Sequence, residues 1–350
     1  MMHVDAPIGT LVLVTLLVGV FSDVTSAADD TGTIRAGIIG LDTSHAPAFT
    51  KFLNDPKSKG YDLGVRIVAA YPGGSPDIPA SRDRVRKITD QVRALNVRIV
   101  DSIPELLKDV DAVLIESVDG RPHLEQARAV FRAEKPVFID KPLAGSLADA
   151  VAIAELAERA RVPWFCSSAL RFGPSLRNAL EHRENDPVLG CDAWSPCPIE
   201  EHHPDLYWYG VHGCELLYTV MGPGCETVTR VSTTGTDCVT GRWKDGRLGT
   251  FRGLRDGKED YGAVIFGKTK IEPVLGFQGY EPLVGQIATF FKTRRPPVPP
   301  DETIELYAFM EAADQSKRRG GTPVRIDDVL KAARQEASMK IDPQQSLPIW

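Results

Sequence analysis

Six short apolar runs, separated by longer amphipathic stretches, constrain the fold of this chain more than any other feature. The runs are Ile34 to Gly40, Val65 to Tyr71, Val97 to Val100, Ala112 to Ile115, Val137 to Ile139 and Trp164 to Cys166. Between them apolar residues recur with helical period at Ala46 to Leu53, Arg82 to Leu95, Leu124 to Glu134 and Leu147 to Arg159. Alternation of this kind implies a parallel sheet with helices on both faces, because each helix returns the chain to the same end of the sheet. The pattern predicts a doubly wound, Rossmann-like α/β domain over residues 33–172.

The fifth run carries the first functional signal. Val137-Phe138-Ile139 reads as a buried strand, the polar pair Asp140-Lys141 follows at its carboxyl end, and Pro142 stops it. Ligands of open parallel sheets bind beyond the carboxyl ends of the strands, so Lys141 is placed to face one. A surface lysine in a strand-to-helix loop is the plainer alternative.

After Arg171-Phe172-Gly173-Pro174 the texture changes. A helix at Ser175 to His182 leads to Val188-Leu189-Gly190 and a long irregular polar stretch, then a short helix from about Gly210 to Met221. Strand-like segments follow at Thr227 to Thr234, Asp237 to Trp243, Gly249 to Leu254 and Tyr261 to Phe266. Asp245-Gly246 and Asp256-Gly257 are spaced for hairpins. Helices at Leu283 to Phe291 and Ile304 to Lys317 flank the Pro-rich loop Pro296 to Pro300. These features predict an α+β domain with a mainly antiparallel sheet over residues 173–330 and a tail over 331–350, loose from Gln344. A length of 350 residues suits two such domains.

A net charge of −6 leaves no basic footprint, which argues against nucleic acid and for a small polar ligand. The apolar run Ile8 to Phe21 has signal-peptide length, and Thr25-Ser26-Ala27-Ala28 supplies small residues for cleavage. Residues 1–28 therefore read as a Sec-type signal peptide that directs export, with a retained anchor as the alternative. No twin-Arg pair precedes the first arginine, Arg35. The six cysteines all lie from Cys166 onward, and none has C-x-x-C spacing.

The order of motifs resembles the glucose-fructose oxidoreductase / inositol dehydrogenase (Gfo/Idh/MocA) family over Ile34 to about Ile326. The resemblance rests on Asp140-Lys141-Pro142 after the fifth strand, and on Gly210-Val211-His212 opening a helix ahead of an open-faced sheet. Val110 to Ile115 with His123 opening the next helix, and Gly190 near the domain switch, extend it. It implies an NAD- or NADP-dependent oxidoreductase acting on a sugar or sugar-like polyol, with Lys141 and His212 flanking the reacting carbon. It further implies cofactor contacts from Gly40, Asp42, Ser44, His45, Tyr71, Ser117, His123, Asp140 and Lys141, and substrate contacts from Asp119, Arg121, Arg171, Asp205 and Trp208. Association through the open sheet into a homo-oligomer is expected. Alcohol oxidation needs a base near the hydroxyl and a fixed cation near the oxygen, roles that His212 and Lys141 divide. Glu215, three residues after His212 on the same helical face, is placed to tune the imidazole as a third catalytic residue.

Three departures point elsewhere. In place of G-x-G-x-x-G stands Gly40-Leu41-Asp42-Thr43-Ser44-His45, which sets a carboxylate where a pyrophosphate should rest. Asp42, Thr43 and Ser44 also serve as cap candidates for the helix that Pro47 begins. At the end of the second strand, Tyr71-Pro72-Gly73-Gly74-Ser75 replaces the acidic ribose ligand. With Arg82 or Arg84 nearby, this turn suits a 2′-phosphate or is merely a turn. Trp208 occupies the first position of a motif that often reads D-x-G-x-H. An exported chain also leaves the cytoplasmic nicotinamide pool. The alternative function is therefore carbohydrate binding or acid–base chemistry (lyase or hydrolase) on the same fold without a nucleotide. A metal cluster from His202, His203, Asp205, His212 and Glu215 is a further possibility, although no metal is assigned.

Overall fold

The computed structural model describes residues 1–3, 32–181, 183 and 185–341. The apolar run Ile8 to Phe21, the cleavage residues Thr25 to Ala28 and the tail Gln344 to Trp350 lie outside the described residues.

All six apolar runs become strands: β1 (Ile34–Ile39), β2 (Val65–Tyr71), β3 (Arg98–Ile99), β4 (Ala112–Ile115), β5 (Val137–Ile139) and β6 (Trp164–Cys166). They form one parallel sheet in the order β3-β2-β1-β4-β5-β6, so the strand order reverses between β1 and β4. Every residue of β4, β5 and β6 is buried, as expected where helices cover both faces. The connecting helices are His45–Asn54, Val85–Ala94, Ile103–Lys108, His123–Arg132 and Leu147–Ala160. Two differ from the sequence reading. The helix expected at Arg82 to Leu95 is divided into Pro79–Arg82 and Val85–Ala94. Ile103–Lys108 was not anticipated; Ser102 caps it by accepting the Glu105 N–H.

The second sheet contains β7 (Val188–Pro196), β8 (Cys225–Ser232), β9 (Thr236–Trp243), β10 (Leu248–Leu254), β11 (Gly262–Gly267), β12 (Ile271–Leu275) and β13 (Val324–Arg325), in the order β12-β11-β7-β10-β9-β8-β13. It is mainly antiparallel, with β7 and β10 parallel. The first part of the stretch expected to be irregular after Gly190 is in fact the interior strand β7, which ends at Pro196. Its small and polar residues conceal the period, which neighbours on both sides reveal: Cys191 and Ala193 are buried while Asp192 is exposed. Asp245-Gly246 does turn a hairpin between β9 and β10, with Gly246 at φ +88°. Asp256-Gly257 does not, because β10 and β11 pair with opposite edges of β7.

Helices Val211–Met221 and Pro300–Arg318 cover one face of this sheet, and the core runs between them through Leu217, Tyr218, Phe251 and Phe309. Lys331 to Lys340, expected in the tail, belong to helix Ile326–Lys340, which packs on Leu147–Ala160. Helix Glu281–Thr293 crosses back to the first sheet. It buries Leu283, Ile287 and Phe290 there, with the Phe290 ring 5.1 Å from that of Phe165. That crossing brings Tyr280 to the strand ends.

Candidate active site

Residues that follow β1 (Thr43, Ser44, His45), β4 (Val118), β5 (Lys141) and β6 (Ser168) form one wall of a cavity of about 360 Å3. Trp208, Tyr209, His212, Tyr261 and Tyr280 form the other. The volume is at the small end for ligand pockets, roughly 300–1,000 Å3. A larger groove of about 960 Å3 lies between helices Leu147–Ala160 and Pro300–Arg318, away from the strand ends. The ammonium from the first domain and the imidazole from the second thus converge on one pocket, as the sequence led us to expect.

His212 is held from three sides. Its Nδ1 lies 2.7 Å from Ser168 Oγ, and the rings of Tyr209 and Tyr261 meet it edge-on at 5.0 and 5.8 Å. Gly210 permits the close entry of this helix, since a Cβ there would fall 2.9 Å from Cys197 Sγ. Burial, and then the charge of Lys141, holds the imidazole pKa well below its ordinary value, which makes His212 a neutral base at pH 7. When Nδ1–H donates to Ser168, the Nε2 lone pair is free to accept a proton.

Glu215 does not touch His212. It accepts hydrogen bonds from Ser167 Oγ, from the Ser168 backbone N–H at 2.6 Å and from Arg171 Nε at 2.8 Å. Arg171, expected to bind substrate, is buried between Glu215 and Glu302 and does not line the cavity. Both residues therefore act behind the site, fixing the serine that fixes the histidine.

At the floor of the cavity His45 Nδ1 lies 2.7 Å from Asp140 Oδ2. Glu116, the residue after β4, is fully buried beside them, and neither of its oxygens has a hydrogen-bond partner. Burial favours the protonated form of both carboxyls, but the charges of His45 and Lys141 outweigh it at Asp140, whose pKa falls to about 2. Glu116, buried against the Asp140 charge, is pushed well above the carboxylate range.

A Rossmann domain lays a dinucleotide's pyrophosphate along the turn after β1, against glycine backbone and the following helix start. Gly40 meets the first requirement: it has φ +95°, and a Cβ would lie 2.3 Å from the Ser117 nitrogen. Beyond Gly40 the chain fills the turn itself. Leu41 N–H donates to Pro72 O at 2.7 Å. Asp42 is fully buried and accepts from Ser81 Oγ at 2.6 Å and from Val118 N–H at 2.9 Å. The turn after β1 is thus tied to segment 72–82 through Pro72 and Ser81, and to the turn after β4 through Val118. The cavity around Lys141 and His212 adjoins this turn through Thr43, Ser44 and His45. The helix begins at His45 rather than Pro47; Ser44 occupies the cap position without a side-chain cap bond, while Thr43 Oγ1 accepts the His45 N–H at 3.3 Å.

The remaining expected contacts divide. Ser44, His45, Lys141 and Trp208 line the cavity, as does Arg84, whereas Arg82 pairs with Asp83. Tyr71, Ser117 and His123 brace the strand ends without reaching the cavity. The Tyr71 carbonyl accepts the Gly40 N–H, Ser117 Oγ bonds Gln126, and the His123 ring spans the carbonyls of Ser117 and Leu143. Asp119 and Arg121 are also structural: Asp119 is buried against Arg121, Ser75 and His203, and Arg121 continues to Asp77. Asp205 joins Arg230 and Lys317 away from the pocket. The proposed histidine-rich metal cluster does not assemble, since His202 pairs with Glu200, His203 with Asp119 and His212 with Ser168. Glu116, Ser168, Tyr209, Tyr261 and Tyr280 were missed. Glu116 had a readable signal, an acid closing an all-apolar strand just as Asp140 does. Tyr280 had none, because a long chain crossing delivers it.

A doubly wound domain whose strand ends face an open-sheet domain, with a lysine and a histidine meeting between them, places the chain in the class of two-domain Rossmann-type proteins. Residues 34–167 match the family model described as "Oxidoreductase family, NAD-binding Rossmann fold". No curated protein matches the chain. Among solved structures, a probable dehydrogenase from Thermotoga maritima is 22% identical, with 85% of this chain and 100% of that one covered and a TM-score of 0.67. The scyllo-inositol dehydrogenase from Lactobacillus casei, solved with NAD(H) and scyllo-inositol, is 14% identical, with 84% and 99% covered and a TM-score of 0.68. GenD2 from gentamicin A biosynthesis, in complex with NAD, is 17% identical, with 84% and 96% covered and a TM-score of 0.67. At such identities the likeness establishes the fold.

Proposed function

We propose that this chain is an oxidoreductase of sugar-like polyols, in which His212 accepts the proton of a substrate hydroxyl while Lys141 stabilises the oxygen. The observation that carries the reading is the convergence of Lys141 and His212 on one cavity. The neutral imidazole supplies the base, the ammonium meets charge as it develops on oxygen, and the surrounding tyrosines offer hydroxyls to a polyhydroxylated ligand. The family match and the inositol dehydrogenase likeness support a nicotinamide nucleotide as the electron acceptor.

The buried Asp42–Ser81 contact favours a second reading, in which the same pair performs acid–base chemistry on a carbohydrate without a nucleotide. Thermal-shift and calorimetric titrations of the purified chain with NAD(H), NADP(H) and a panel of inositols and sugars separate the two. Saturable nucleotide binding supports the oxidoreductase. Polyol binding with no nucleotide binding rejects it in favour of the second reading.

A further inference from the structure

We propose that His45, Glu116 and Asp140 form a site for one divalent transition-metal cation of the Zn2+ or Mn2+ class on the floor of the cavity. The three residues come from the start of helix His45–Asn54, the end of β4 and the end of β5, and each offers a ligand atom within 4.8 Å of the others. Around a tetrahedral ion with bonds of about 2.1 Å, ligand atoms sit about 3.4 Å apart, so a pair as far apart as 4.8 Å would close by about 1.4 Å on binding.

The orphaned carboxylate is the independent sign of a ligand. Glu116 is fully buried with both oxygens unpartnered, and Asp140 Oδ1 beside it is unpartnered too. Buried polar atoms are nearly always satisfied, and a carboxylate costs most when it is not. A proton on Glu116 would remove its charge yet leave an O–H and a carbonyl without partners in this surrounding. Lys141, the neighbouring cation, hydrogen-bonds neither oxygen. A metal ion would give a partner to the orphaned oxygens of Glu116 and Asp140, with His45, already bonded to Asp140, as the third ligand.

The donor set selects the metal. One imidazole nitrogen with two carboxylate oxygens is poorer in oxygen than calcium or magnesium sites require, and it lacks the thiolates of structural zinc. Three protein ligands leave coordination positions open, as in catalytic sites. His45 and Lys141 both line the cavity, so those positions face the ligand and suit a hydroxyl of a polyol. The two carboxylates balance the ion, and Lys141 remains to meet an oxyanion. The inference stands whether or not a nucleotide binds.

The test uses the untagged full chain, stripped with chelator and titrated with Zn2+ and Mn2+ by calorimetry and with Co2+ by visible absorption. One equivalent per chain is expected, with affinity reduced about a hundredfold or more in Glu116→Gln and in His45→Asn, each checked for fold by circular dichroism. His45 is at the cavity surface, so its variant carries the test should Glu116→Gln fail to fold. Absence of saturable binding up to millimolar metal overturns the proposal, as does unchanged affinity in a folded variant of either residue.

Discussion

The Glu215 carboxylate accepts the Ser168 backbone N–H at 2.6 Å, and the hydroxyl of the same serine meets His212 Nδ1 at 2.7 Å. An ion pair buried behind the site is thereby coupled to the imidazole through one residue. The arrangement separates two effects that mutation can distinguish. Ser168→Ala releases the ring without removing a charge, and is expected to lower kcat by about tenfold with little change in Tm. His212→Ala removes the base and is expected to cost about 10²–10⁴ in kcat/KM. Glu215→Gln strips a partner from buried Arg171 and should cost about 3 kcal/mol of stability, read from denaturant melts. Equal losses of activity and of stability in all three variants would contradict this division.

The depressed pKa of His212 makes a pH prediction. A histidine whose folded pKa lies below its unfolded value near 6.5 contributes stability that is complete above 6.5 and is lost as pH falls, because the unfolded chain takes up the proton first. Activity should follow the folded value. The acid limb of kcat/KM is therefore expected well below 6.5, and Ser168→Ala should shift its position. A limb centred at 6.5 would mean that the imidazole is solvated during turnover.

If the chain binds a nucleotide as proposed, Asp42 lies where it would matter most. Its carboxylate lies in the turn where a pyrophosphate would rest, and like charges at contact range repel. Asp42→Gly removes that charge and the bond to Ser81 together, so affinity for NADH or NADPH should rise about tenfold or more by fluorescence titration. An unchanged affinity would show that any nucleotide takes another path.

Much of this was legible beforehand because the first domain announces itself by period. Fully buried parallel strands must be apolar throughout, which is why β4, β5 and β6 could be placed to within a residue or two. Lys141 and His212 were legible because each follows a local signal, a strand end and a glycine before a helix. β7 was not: its neighbours β10 and β11 come from far along the chain, and pairing on both sides lets Asp192, Ser195 and Pro196 stand in a strand. Arg171 and Asp205 looked like ligands since charge alone cannot tell a buried ion pair from a binding residue. Only coordinates show Glu302 waiting for the one and Arg230 for the other.

The reading of residues 1–28 as a signal peptide makes a prediction independent of the site. If Ala27 or Ala28 ends a Sec signal peptide, amino-terminal sequencing of the protein recovered after export should begin at Ala28 or Asp29. Recovery of an intact Met1 in a membrane fraction would instead favour the retained anchor.

Segment 72–82 is fastened by charges that reach it from the turn after β4, and their removal should loosen it selectively. Asp119, almost fully buried, accepts from Ser75 Oγ at 2.5 Å and from Arg121, whose guanidinium continues to Asp77 at 2.8 Å. Burial raises the Asp119 pKa, but the bonds from His203, Arg121 and Ser75 outweigh it and hold the carboxyl far below the usual carboxylate range. A depressed carboxylate contributes stability that is present above its unfolded pKa near 4 and is lost as pH falls below it. Arg121→Ala leaves Asp119 with only its weaker partners and frees Asp77, at a cost of about 2 kcal/mol, since the Asp77 half of the contact is exposed and worth little. Because the same segment is bonded to the turn after β1 through Leu41 and Asp42, its amides should exchange hydrogen faster in Arg121→Ala while those of β4 and β5 keep their protection. Nucleotide affinity should rise in parallel with that exchange. Faster exchange spread evenly over the first domain would show that Arg121 supports the whole fold rather than this one segment.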